Sequence, residues 1–225
     1  MSFYKRLIAE TEAERQDFLA APIIARVFSG DISLDNYVGF LAQAYHHVKH
    51  TVPLMMAVGS RLPENKEWMR ESLVEYIEEE IGHQEWVLND IFACGYDKEF
   101  VRSQLPHATT ELMVAYAYDT VMRGNPMGFF GMVHVLEGTS INLADKVAGA
   151  VKETLGLPAN SFSYLISHGS LDQGHVEFFE NLMNKIDDIE DEKAIIHACR
   201  IFYKLYGDIF RALDDEHNIP KLAQS

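Results

Sequence analysis

Residues 163–183, SYLISHGSLDQGHVEFFENLM, place His168, Asp172 and His175 at spacings of four and three. In a helix those spacings put all three side chains on one face, one turn above the next, where they can converge on a single ion. The plain structural alternative is a surface or core helix that carries a hydrogen-bonded His–Asp pair. Whether the stripe is a ligand set therefore depends on what the rest of the chain can add to it.

Upstream, residues 75–86 read EYIEEEIGHQEW and hold Glu80 and His83 three apart on a strongly helical segment, so the chain has two carboxylate-x-x-His pairs, Glu80/His83 and Asp172/His175. Di-iron carboxylate bundles use such a pair from each of two helices together with single carboxylates from two others. Between the pairs, GFFGMVHVLEGTSINLADKVAGA (128–150) carries Glu137 in an otherwise apolar helical stretch. A carboxylate there is costly to bury unless it is paired, with Lys146 for example, or coordinates a metal. The inferred metal set is Glu80, His83, Glu137, His168, Asp172 and His175. Three imidazoles and three carboxylates suit iron or manganese better than a thiolate-rich structural zinc site. Against Glu80 stands its place in a run with Glu75, Glu78, Glu79 and Glu85, since such runs usually mark a solvated face.

The chain has 225 residues, 48% of them hydrophobic and 24% charged, with no Pro/Gly/Ser-rich linker, so one soluble globular domain spanning 1–225 is expected. A formal net charge of −15 argues against nucleic acid, whose binding relies on clustered Lys and Arg, and against anionic membrane surfaces. No apolar run approaches the roughly 20 residues of a membrane span. The start, MSFYKRLIAETEAERQDF, is amphipathic and acidic rather than signal-like, which leaves the cytoplasm as the expected location. Cys94 and Cys199 lack zinc or redox spacing and read as buried small hydrophobes.

Helical periodicity runs from end to end and strand-like alternation is nearly absent, so the class is all-α. Helices are expected over 3–20 and 22–28, and over 33–62 with Ser33 as N-cap and a kink near Pro53. Another is expected over 65–94. Beyond it, one is capped by Thr109 or Thr110 and one opens at Asn125-Pro126. The His168 helix starts at Asn160 or Ser161, and a last helix covers 193–213. Short connections suggest a bundle with its site between facing helices.

The helical order, the EEIGHQE segment (79–85), Glu137 and His168-x3-Asp172-x2-His175 together resemble the haem-oxygenase-like di-metal oxidases and oxygenases. These are relatives of the TenA and PqqC proteins and of the chlamydial protein associating with death domains. The resemblance covers most of the chain. It implies a seven-helix haem-oxygenase-like bundle, often a homodimer, that binds two irons or an iron/manganese pair at those six positions. It also implies activation of dioxygen to oxidise a small organic molecule. Family members differ in how far the first glutamate precedes its histidine, which keeps Glu79 open beside Glu80. The subfamilies nearby fit less well. No histidine precedes His46, as an axial haem ligand in the first helix would require. FFGMVHVLEG (129–138) lacks the cysteine nucleophile of TenA thiaminases, and basic residues like those of the metal-free PqqC cavity are sparse near these helices. The competing readings are a metal-free TenA/PqqC-like enzyme and a ligand-binding or interaction protein on the same bundle. Among the remaining histidines, one or two of His46, His47 and His50 are expected to line a cavity. His134, one turn before Glu137, is expected either to orient a ligand or to sit in the core.

Overall fold

The computed structural model describes residues 1–214 and 219–222, the side chains of residues 168–175 lying outside the described set. Along the chain run α1 (Phe3–Leu19), α2 (Pro22–Ser29), α3 (Leu34–Val48), α4 (Thr51–Arg61), α5 (Glu67–Glu80) and α6 (His83–Ala93). They are followed by α7 (Lys98–Ser103), α8 (Ala108–Met122), α9 (Phe129–Leu155), α10 (Ser163–Met183) and α11 (Ile189–Arg211). Two-residue breaks separate α3 from α4 and α5 from α6. If each broken pair is taken as one helix and the short α2 and α7 are set aside, the expected seven long helices remain. Among the described residues the only β-type pairing is an isolated bridge, Tyr96 to Lys221. Backbone bonds from Asp97 N to Pro220 O and from Leu222 N to Gly95 O pin the C-terminal tail there.

Local signals explain most of the boundaries. Ser33 and Asn36 form a reciprocal capping box at the start of α3, satisfying two backbone donors that the helix itself cannot. Pro22 opens α2, and Gly30 closes it at φ 75°, a conformation that favours glycine. The acidic stretch before the last helix turns out to open it. Asp188 is the N-cap, and Glu190, Asp191 and Glu192 occupy the first turn, where negative charge meets the positive end of the helix dipole.

Other boundaries differ from the sequence reading. The break in the 33–62 segment falls at Lys49-His50. Pro53 is the third residue of α4, in the first turn, where a missing N–H costs no helical bond. Helix 65–94 is interrupted at Ile81, which is extended, and Gly82, at φ 95°. His107, not Thr109 or Thr110, caps α8, accepting from Thr109 N. The His168 helix begins at Ser163, because Ser161 closes a 3-10 turn and Phe162 has not yet entered helical geometry.

Two apolar cores fill the bundle. One joins α1, α4, α5, α8 and α11 to the start of α9 and the end of α10. The other joins α3 and α6 to the end of α9 and the start of α10. α9 thus runs from one core into the other: Phe129 to Val135 are buried in the first, Ala144, Ala148 and Val151 in the second, while Leu136 to Ile141 between them are only half-buried.

Candidate metal centre and cavity

The half-buried middle of α9 faces a cavity of about 140 Å³ whose walls draw on both cores. Met55, Phe129, Met132 and Tyr206 come from one side, Val27, Tyr37, Ala144 and Val151 from the other. Glu137 lines this cavity from α9, and Glu80 lines it from the C-terminal residue of α5. Of the glutamate run, Glu75, Glu78 and Glu79 are exposed, so Glu80 is the one turned inward, its side chain 13% accessible. Lys146 is exposed and does not line the cavity.

His83 is the first residue of α6 and is buried. The turn at Ile81-Gly82 separates the two helices, yet it keeps the pair together: His83 Nδ1 lies 3.1 Å from Glu80 Oε2. A carboxylate can only accept, so Nδ1 carries the proton and Nε2 the lone pair, the tautomer in which histidine serves as a metal ligand. Trp86, one turn on, stacks on the imidazole with ring centroids 4.0 Å apart and holds its plane. Glu80, His83 and Glu137 are therefore placed around one cavity. His168, Asp172 and His175 belong to α10, which packs along α9 and α6, but their side chains lie outside the described residues. Among the described residues no three His, Cys, Asp or Glu side chains gather closely enough to hold an ion.

His47 lines the cavity and meets the Tyr206 ring edge-on. His50 faces α8 instead, its Nδ1 3.1 Å from the Tyr118 hydroxyl, and His46 contacts Lys49 Nζ at 3.2 Å. Burial first, then Lys49 and His50, push the His46 imidazole down to about 4. His134 sits in a box of Tyr4, Phe179 and Tyr203 rings, and burial likewise lowers it to about 4, so it is a neutral core histidine. Cys94 and Cys199 are buried free thiols, raised by burial to about 11 and about 12.

A residue absent from the sequence reading organises the site's frame. Asp90 on α6 is fully buried, and its carboxylate accepts from Ser163 N at 3.0 Å, Tyr164 N at 2.8 Å and the Ser163 hydroxyl. One helix thereby caps another: Asp90 satisfies the first donors of α10, and Tyr164 in turn lines the cavity. The signal was present in WVLNDIFA (86–93), where an acid falls among Val87, Leu88 and Ile91 on a buried stripe. Nothing in the sequence indicates which helix it would reach.

The profile of a family described as an iron-containing redox enzyme matches residues 38–207. No curated protein matches the sequence. Among solved structures, a domain of unknown function with a heme oxygenase-like fold from Shewanella denitrificans OS217 superimposes with a TM-score of 0.83 at 24% identity, over 95% of this chain and 92% of that one. A TenA homologue from Pseudomonas syringae pv. tomato DC3000 gives 0.78 at 13% identity, over 94% and 92%. Haem oxygenase-2 from Synechocystis sp. PCC 6803, solved with haem and NO, gives 0.77 at 11% identity, over 96% and 86%. At these identities the likenesses show the fold: a haem-oxygenase-like bundle of the kind shared with TenA proteins.

Proposed function

We propose, since this chain belongs to the iron-containing redox enzyme family, that it is a non-haem di-metal oxidase or oxygenase that activates dioxygen to oxidise a small organic molecule. The observation that carries this reading is the pair of glutamates, from α5 and α9, on the wall of one largely apolar cavity, with His83 bonded to the first of them. Hard carboxylate oxygens and neutral imidazole nitrogens form a donor set that fits iron or manganese. Glu80, His83, Glu137, His168, Asp172 and His175 are the residues that would hold two metals, iron or an iron/manganese pair, which when bound supply the electrons for dioxygen reduction.

The chain's own groups prepare the site. Glu80 fixes the His83 tautomer and Trp86 fixes its ring plane. The apolar wall on both sides of Glu137 keeps bulk water from the reacting atoms. Tyr206, whose hydroxyl burial holds in its protonated form, presents a donor rather than a further negative charge. We further propose assembly as a homodimer, supported by the exposed apolar side chains Met56, Val74 and Leu112, since α4, which carries Met56, packs against both α5 and α8.

Anaerobic ferrous titration of chelated protein, followed by mixing with oxygen under stopped-flow absorbance, tests the metal reading. The expected result is two irons per chain and a transient visible band, with stoichiometry reduced in Glu137→Gln and in His175→Ala. Absence of stoichiometric uptake in the native chain would overturn it in favour of a metal-free enzyme on the same bundle.

A further inference from the structure

The cavity follows one stripe of α9. Met132, Val133, Glu137, Ala144, Val147 and Val151 all line it, at helical spacings that keep them on a single face. At 1.5 Å per residue, Glu137 to Val151 spans about 21 Å of helix. The volume, about 140 Å³, is close to the roughly 150 Å³ of a cavity that holds a single benzene. Spread over that length, it is a narrow channel, which admits an extended chain and excludes fused or planar ring systems.

Its chemistry is graded. Toward α2 the wall is Ile24, Val27, Phe40, Val147 and Val151. The two polar side chains at that end are already engaged within the protein: Tyr37 donates to Ser161 O at 2.7 Å, and Asn36 belongs to the capping box and donates to Leu213 O at 2.9 Å. Glu80, Glu137, His47 and Thr51 make up the polar end. No Lys or Arg is among the described lining residues, and residues 168–175, HGSLDQGH, contain neither. The formally charged side chains on the described wall are both carboxylates.

We infer that the molecule taken by this site is an unbranched aliphatic chain whose head carries no negative charge, a primary alcohol or amine in chemical class. The tail lies along Ala144, Val147 and Val151, and the head beside Glu137. That the head end is the reacting end rests on the metal reading above; the shape and charge of the channel do not.

The test is binding of homologous straight-chain alcohols, amines and carboxylates, from six to twelve carbons, to chelated protein by titration calorimetry. Each added methylene is expected to tighten alcohol binding about fourfold, the effect of burying one CH₂ group, until the tail reaches Val151. Carboxylates of equal length are expected to bind at least tenfold more weakly than alcohols. Affinity that does not change with chain length, or carboxylates that bind as tightly as alcohols, would overturn the inference. Ala144→Phe, a plug two turns from Glu137, is expected to abolish the gain from the longer members and to leave iron uptake unchanged. Should that variant not fold, the native series decides alone. Ferrous titration of the same preparation separates the two readings: chain binding without iron uptake removes the di-metal centre and keeps the channel, whereas iron uptake without chain binding removes only this inference.

Discussion

At the scale of single residues, Asp90 has the largest reach. It is a buried carboxylate whose bonds all run to another helix, so removing it strands two backbone N–H groups and a hydroxyl at the start of α10. A buried donor without a partner costs about 1–3 kcal/mol. Asp90→Ala is therefore expected to lower stability by about 2–3 kcal/mol, read as a shift in urea midpoint, and to speed amide exchange at Ser163 and Tyr164. Asp90→Asn retains one acceptor oxygen and should lose less. A change within about 0.5 kcal/mol, the size typical of surface substitutions, would show that α10 does not depend on this cap.

Among the elements, α9 and α11 make the closest approach. A β-carbon at Gly131 would lie 2.6 Å from Cys199 N and 2.7 Å from Ile195 O, both backbone atoms of a buried helix that cannot swing aside. Gly131→Ala should cost at least the roughly 1–3 kcal/mol of an overpacked core. Gly149→Ala in the same helix, where nothing lies within 4 Å, should instead gain about 0.5–1 kcal/mol from helix propensity. Thermal unfolding by circular dichroism reads both, and equal shifts would contradict the packing described. Periodicity made nearly every helix legible in the sequence, because 3.6-residue spacing is a local property. The interruption at Ile81-Gly82 was not legible, since EYIEEEIGHQEW consists largely of good helix formers and a lone glycine inside such a run is tolerated in many helices. Glu80, Glu137 and His83 were recognisable by residue type and spacing. Asp90, His47 and the channel were not, or only loosely, because each depends on which helix packs beside which.

For the molecule as a whole, burial of imidazoles makes stability depend on acidity. His134 and His46 are both held at about 4, against 6.5 for an ordinary histidine, so both are neutral in the folded protein at neutral pH. Below about pH 6.5 the unfolded chain gains protons that the fold refuses; their contribution is whole above that value and is lost as pH falls toward 4. For His134 the difference is on the order of 3 kcal/mol. The urea midpoint is expected to drop between about pH 7 and pH 4.5, and less steeply in His134→Phe. Parallel pH profiles for the two proteins would show that His134 takes no part.

The seam between the two cores also gives the folded protein a larger molar volume than its atoms require. Emptied into solvent on unfolding, a void of about 140 Å³ amounts to roughly 80 mL per mole, within the range by which pressure drives unfolding. Hydrostatic compression, to which a uniformly filled bundle responds little, is thus the variable that senses this channel. A chain lying in it acts as a molecular shim, raising the pressure the protein withstands.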